Sequence, residues 1–378
     1  MSPNITKGTV NRAVQYADPP SIKTIIAELP IETPGPGEVL VRMLYSGVCH
    51  TDYGFCTNSF GLPVPAPAGQ VGGHEGIGEV IEQGPGVTSP EIGAKVGIKY
   101  AADACLNCGM EPLCSLRSSK DTDLTLLENC LIGGETSCVQ TKISGYFTPG
   151  TFQQYVISSA KYVTPIPDGI DLAAAAPLMC GGVTVYAALK RSNTKHGDWV
   201  LVTGAGGGLG HLAIQFAKAI GARVVAVDHG SKESFCKGFG ADAFVDFTKF
   251  STDEDITTEV RSIAPRGVKT VIACATPTRS YDQCIGFLGF RGTLVCLGVP
   301  ENDRTPIKGA EAFTLLNNEL TIMSLKAGNR LEAKECLQLV ARGLVKTHYE
   351  LRPMGSISDI FKEMETGSIN GRVVIDLR

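Results

Sequence analysis

Three stretches carry side chains that bind soft metals: Gly47-Val48-Cys49-His50-Thr51-Asp52, Gly72-Gly73-His74-Glu75-Gly76, and Cys180 between Met179 and Gly181. A lone cysteine or histidine is more often structural. Two thiols and an imidazole together leave one tetrahedral position open, which is the arrangement of a catalytic zinc. A second group is spaced Cys105-x2-Cys108 and Cys130-x7-Cys138. The chain has 13 cysteines, and its first residues lack the apolar stretch of a secretion signal, so a disulfide framework is not expected. Metal ligation suits the clustered thiols. Cys236, Cys274, Cys284, Cys296 and Cys336 are scattered through apolar stretches and read as small core residues.

The run from Val200 to Asp228 must position a second chemistry. Trp199 to Thr203 is a short apolar run that stops at Gly204, as a strand buried in a parallel sheet does. Leu212, Ile214, Phe216, Ala217 and Ile220 follow at helical spacing until Gly221, and Arg223 to Val227 reads as a second strand with Asp228 at its end. Gly204, Gly207 and Gly210 are spaced GxxGxxG, with Gly206 and Gly208 between them, so the turn departs from a strict GxGxxG. A glycine cluster alone is a flexible loop. Set between a strand and a helix, it lets backbone approach a pyrophosphate at a helix N-terminus. The acid 18 residues past Gly210 suits a ribose with a free 2'-hydroxyl, and so NAD rather than NADP.

At 378 residues, with 43% hydrophobic and 19% charged, the chain is long enough for two domains with their own cores. A net charge of -4 gives no basic field for nucleic acid. Residues 172–189 are uncharged, but Pro177 and Gly181-Gly182 interrupt them, so they read as helix packed between domains rather than a membrane span. No repeat period occurs, and the expected location is the cytoplasm. Residues 1–165 alternate short apolar bursts with turn residues, the texture of a β-rich barrel. From Trp199 to about Leu325, six apolar runs (VLVT, RVVAV, AFVDF, TVIACA, TLVCLG, LTIMSL) alternate with helical patterns, as in a doubly wound α/β sheet. The expected division is a catalytic domain at 1–165 with a cysteine lobe at about 103–140, a dinucleotide domain at 166–317, and a return to the catalytic domain at 318–378.

With SGVCHTD, VGGHEG, SGYFTPGTFQQY, GGVTVY, the glycine turn, GNR at Gly328 to Arg330 and ARGLV at Ala341 to Val345, the chain resembles the zinc-dependent alcohol dehydrogenases of the medium-chain dehydrogenase/reductase superfamily. It is most similar to the yeast-type fungal class, over essentially its whole length. The resemblance implies a GroES-like catalytic domain around a central Rossmann domain, with the active site in the cleft between them. It makes Cys49, His74 and Cys180 the catalytic zinc ligands, with Glu75 beside the metal as an alternate ligand. Asp52 then accepts from the His74 ring, Thr51 hydrogen-bonds the alcohol, and His50 faces the cofactor phosphates. Thr184 and Arg330 contact NAD from the two sides of the cleft, and Lys232 lies by the adenosine ribose. The implied reaction is NAD-dependent oxidation of primary alcohols to aldehydes, and its reverse, by hydride transfer to nicotinamide C4. The partners are small alcohols or aldehydes and other copies of the chain, in a dimer or tetramer, with no nucleic acid or membrane.

The chain departs from that pattern in two places. Gly54 stands where yeast-type enzymes carry a histidine that passes the proton to solvent, and Phe60 replaces a tryptophan, which implies a wider pocket. The cysteine lobe carries 21 residues between Cys108 and Cys130, where the family has two. Lengthening that loop costs about 2 kcal/mol, against roughly 10 to 16 kcal/mol for structural zinc binding in small domains. The second zinc is therefore expected at Cys105, Cys108, Cys130 and Cys138, with Cys114 the competing third ligand. The insert reads as a surface loop or as a translated intron. A zinc-free reductase is disfavoured by the complete ligand set. A nucleotide-binding protein without catalysis is the remaining alternative.

Overall fold

The computed structural model describes residues 8–106, 108, 129–146, 148–303 and 305–378. Cys114 and most of the insert lie outside them, so the competition between Cys114 and Cys130 is placed on one side only. In chain order, β1 (Asn11–Tyr16) and β2 (Thr24–Leu29) form an antiparallel ribbon, and β3 (Glu38–Val48) runs directly into α1 (His50–Thr57). Then come β4 (Gly76–Gln83), β5 (Lys95–Ile98), β6 (Ala101–Asp103), β7 (Lys142–Ile143), β8 (Tyr155–Ser159) and β9 (Thr164–Pro165). β3 is the spine of this domain. It pairs with β4 and β8, so its valines, Leu40 and Met43 are buried.

The chain crosses to the second domain through α2 (Leu172–Ala175), capped by the Asp171 carboxylate, and α3 (Gly181–Arg191). α2 continues into a short 3-10 turn, Ala176–Met179, and this unit is bent by 55° from α3 at Cys180; both are largely buried in the core that joins the domains. Among the described residues no single helix is long and apolar enough to cross a membrane.

The second domain alternates strands and helices: β10 (Trp199–Thr203), α4 (Gly210–Ala219), β11 (Arg223–Asp228), α5 (Glu233–Gly238), β12 (Ala243–Asp246), α6 (Asp253–Ile263), β13 (Val268–Ala273), α7 (Thr278–Phe287), β14 (Leu288–Cys296), α8 (Ala312–Asn318) and β15 (Thr321–Ser324). All six strands are parallel, in the order β12-β11-β10-β13-β14-β15. The order reverses between β10 and β13, where α/β sheets bind ligands beyond the carboxyl ends of their strands. The expected boundary at 317 needs correction. β15 lies beyond it and pairs with β14, because the run LTIMS completes the parallel sheet before the chain leaves.

The chain returns through α9 (Arg330–Ala341), which opens on a capping box between Asn329 and Glu332. β16 (Tyr349–Pro353), α10 (Ile357–Glu365) and β17 (Arg372–Asp376) follow. β17 is antiparallel to β3, with Val373 opposite Val48, and this register sets Arg372 beside the residues that lead into Cys49.

Candidate active site

Cys49 sits at the joint between β3 and α1, and Asp52 holds that joint. Asp52 Oδ2 accepts from the Cys49 N–H at 2.9 Å, and Oδ1 lies 2.7 Å from His74 Nδ1. Asp52 and His74 are both fully buried, and Tyr16 donates to the Asp52 carbonyl at 3.2 Å. An ionised carboxylate only accepts, so His74 donates from Nδ1; Asp52 also raises the affinity of the ring for a proton, and Nε2 offers its lone pair when a cation takes that proton's place. That Nε2 is buried without a hydrogen-bond partner. The ligand atoms of Cys49, His74, Glu75 and Cys180 all lie within 4.8 Å of one another. A buried, unpaired imidazole nitrogen beside two thiols is the donor set zinc takes, so these residues fit the metal.

The electrostatics are those of a pocket made for a cation. The Cys49 thiol is held well below its usual range, first by a hydrogen bond from Cys180 and further by His74 and Arg372, while Cys180 is pushed well up by the same bond and by burial. Burial also raises Glu75, opposed by Arg372, whose guanidinium pairs with both carboxylate oxygens. Arg372 Nε is buried and unpartnered, and the residue lines cavities together with Gly207 and Gly208. Sequence reasoning missed Arg372. Its signal was a cation directly before the apolar run Val373-Val374-Ile375.

The glycine turn forms the opposite wall. Gly204 has φ 60°, and a side chain there would meet the backbone of Ala275; a Cβ on Gly210 would fall 2.2 Å from the Gly204 carbonyl. Glycine is needed for the turn at the first position and for close packing of α4 at the second. Asp228 Oδ2 accepts from the Gly206 N–H at 2.8 Å. A cavity of about 360 Å³ is lined by Gly204, Gly207, Gly208, Asp228, Lys232, His50 and Arg372. It meets a second, of about 230 Å³, lined by Cys49, His50, Thr51, Phe60, Leu297 and Val299. Lys232 lays its stem over Gly206 and donates to the Ile369 carbonyl at 3.3 Å. His50 pairs with Glu301 across the cleft, a contact that sequence spacing could not show.

Thr184 and Arg330, both expected at the cofactor, have partners within the protein. Thr184 turns its hydroxyl back onto α3 to donate to the Cys180 carbonyl at 2.6 Å. Arg330 is drawn into the cysteine lobe, where it pairs with Glu135 at 2.9 Å and lies over the Tyr162 ring. Neither lines the two cavities. Gly54 is also less free than its sequence suggests. A Cβ there would fall 2.3 Å from Phe60 Cε2, because the Phe60 ring packs back over the glycine and edge-on to Phe55. Phe60 therefore fills volume at residue 54 as well as facing the cavity.

The lobe brings Cys105, Cys108, Cys130 and Cys138 together, with Sγ–Sγ distances of 3.3 to 3.8 Å. Zinc–sulfur bonds of about 2.3 Å span a tetrahedron with edges of about 3.8 Å. The group fits a closed four-thiolate site.

Comparison with known proteins agrees with this geometry. Residues 35–168 match the alcohol dehydrogenase GroES-like domain, and residues 208–342 match the zinc-binding dehydrogenase family. Alcohol dehydrogenase 2 of Emericella nidulans is 44% identical over 375 residues, covering 97% of each chain. Among solved structures, acetophenone reductase from Geotrichum candidum in complex with NAD superposes with a TM-score of 0.80 at 26% identity, covering 98% of each chain. The cobalt- and zinc-bound thermostable alcohol dehydrogenase from Pyrobaculum aerophilum gives 0.79 at 27% identity, covering 97% of this chain and 99% of that one. The chain belongs to the alcohol dehydrogenase family of zinc-binding dehydrogenases.

Proposed function

We propose that this enzyme oxidises primary alcohols to aldehydes with NAD, and reduces aldehydes with NADH, using one zinc at Cys49, His74 and Cys180 and a second at the cysteine lobe. The observation that carries the reading is the unpaired, buried His74 Nε2 between two thiols, at the edge of a cavity whose other wall is the glycine turn. When bound, zinc supplies Lewis acidity toward the substrate oxygen and NAD supplies the hydride acceptor.

The chain's own groups do the rest. Asp52 fixes the His74 tautomer, so Nε2 is the nitrogen that offers its lone pair to a cation. Arg372 balances the charge of Glu75, which otherwise would be buried without a counter-ion next to the thiols. Thr51 lines the inner cavity beside Cys49 and is placed to take the substrate's proton, and His50 beside it faces the cofactor cavity. Gly54 offers no titratable group, so on the protein side the proton would leave through the Thr51 hydroxyl toward solvent. Asp228 at the end of β11 selects a free 2'-hydroxyl, since a 2'-phosphate there would meet a like charge.

Zinc content measured together with NADH formation from ethanol and longer primary alcohols tests the reading. Two zinc ions per subunit and a strong preference for NAD over NADP are expected. At most one zinc in active enzyme, or equal efficiency with NADP, overturns the corresponding part. The proposal includes a cytoplasmic, self-associating enzyme. Support for self-association is the edge strand β15, flanked by exposed Phe313 and Leu316 on α8. The mass in solution checks it.

A further inference from the structure

His211 is the second residue of α4, is fully buried, and belongs to none of the roles above. Its Nδ1 lies 3.0 Å from the Gly207 carbonyl, inside the glycine turn. Its Nε2 lies 3.3 Å from the backbone N–H of His348. A backbone N–H only donates and a carbonyl only accepts, so both contacts require one neutral tautomer, with the proton on Nδ1. Burial, with Arg372 and His348 nearby, lowers the ring's pKa to about 4, consistent with that neutral state.

The link continues beyond His348. The His348 carbonyl accepts from the Arg372 N–H at 3.0 Å, and the Gly371 N–H reaches the Gly206 carbonyl at 3.4 Å. A Cβ on Gly208 would sit 2.8 Å from Arg372 Cδ, so the arginine stem lies directly on the turn. One helical turn after His211, Gln215 fixes the same segment. Its Nε2 donates to the Lys346 carbonyl at 2.9 Å and its Oε1 accepts from the Lys346 N–H at 2.8 Å. Two buried side chains four residues apart therefore join α4 to the segment that aligns β17.

We propose that His211 is a positioning residue that sets the spacing between the glycine turn and Arg372, and through it the grip on the dinucleotide's pyrophosphate. The proposal rests on the NAD reading. It concerns the diphosphate alone, because the adenosine end of the cavity is built from Asp228 and Lys232, which His211 does not touch.

The experiment compares the binding of ADP-ribose, which carries the diphosphate, with that of AMP, which carries only the adenosine end and one phosphate. Native enzyme and His211→Phe are titrated calorimetrically. His211→Phe keeps a ring among Phe235 and Phe239, against which His211 packs. The expected result is a dissociation constant for ADP-ribose raised about tenfold, the scale of one buried hydrogen bond, with AMP changed by less than about twofold. His211→Gln, whose amide oxygen can accept from the His348 N–H, should recover most of the loss, while His211→Asn, which reaches only Gly207, should not. Native affinity for ADP-ribose in His211→Phe overturns the proposal. Equal loss for AMP and ADP-ribose also overturns it and assigns His211 to general packing. Should His211→Phe fail to fold, the His211→Gln and His211→Asn pair decides: equal ADP-ribose affinities overturn the proposal, and weaker binding by His211→Asn supports it. Failure of the native enzyme to bind NADH or ADP-ribose sinks the NAD reading, and this proposal with it.

Discussion

The two cysteine clusters use the same element in opposite ways. The lobe draws four thiols from one segment of chain and leaves two of them only partly buried. The other cluster gathers Cys49, His74 and Cys180 from three separate elements and surrounds them with charged groups that are themselves buried, Asp52, Glu75 and Arg372. The first arrangement can only hold the chain together. The second is costly to assemble, since each buried charge needs a partner, and such a cost is met where an open coordination position does chemistry. Sequence spacing distinguishes the clusters only weakly. Burial and the orphaned His74 Nε2 distinguish them clearly.

Substitutions should separate the clusters in kind as well as in size. The largest effect is expected at the open cluster: Cys180→Ala should lower turnover by at least about 1,000-fold, because Lewis-acid stabilisation is worth several kcal/mol. Its thermal melt should stay close to native and one zinc should remain. A large loss of stability in this variant would make the two clusters alike. At the lobe, Cys138→Ser should do the reverse, costing roughly 3 kcal/mol or more of stability and about 4 °C or more in Tm. Turnover per folded molecule, measured well below the melt, should be nearly native.

A pH effect sharpens the lobe's side of the contrast. Lys99 is buried beneath the lobe, donating to the Tyr162 carbonyl at 2.7 Å and to Thr164 Oγ1 at 2.6 Å. Burial draws its ammonium down from 10.5 to about 7, with Glu135 opposing. Between those two values the unfolded chain binds the proton more tightly than the folded one, so Lys99 makes stability rise as pH rises through the window. The gain should be on the order of 4 kcal/mol, seen as a pH-dependent difference between native enzyme and Lys99→Met in denaturant melts from pH 6.5 to 10. Parallel curves would show that Lys99 keeps its ordinary affinity for protons.

The smallest effect belongs to the open cluster's proton exit. Gly54→His alone should disturb Phe60, since no space exists for the new side chain. Combined with Phe60→Ala it should raise the rate of alcohol oxidation near pH 7 by about threefold, well below the roughly 100-fold or more of direct acid–base catalysis. A double variant no faster than Phe60→Ala, with product release shown not to limit, would mean that water already serves as the relay.

Much of this was legible from the chain because the informative residues are close in sequence. Cys49 and Asp52 share one turn of helix, and Gly204 to Gly210 follow their strand at once. The six strands of the parallel sheet announce themselves as uninterrupted apolar runs, since both of their faces are covered. What could not be read depends on register between distant strands. Arg372 meets Glu75 only because Val373 aligns with Val48. Arg330 meets Glu135 across a fold contact that spacing does not encode. Gly54 and Phe60 were each read separately, although they share one volume.

The pairing of β17 with β3 also imposes an order on assembly. During synthesis the lobe can close as soon as Cys138 emerges, for all four of its thiols are then present. Glu75 must wait for Arg372, which lies 297 residues further along. Until that arginine arrives, the carboxylate beside Cys49, His74 and Cys180 has no counter-ion, and burying it would cost several kcal/mol. The ligands of the lobe are therefore all present in the growing chain well before the charge partner of the cleft.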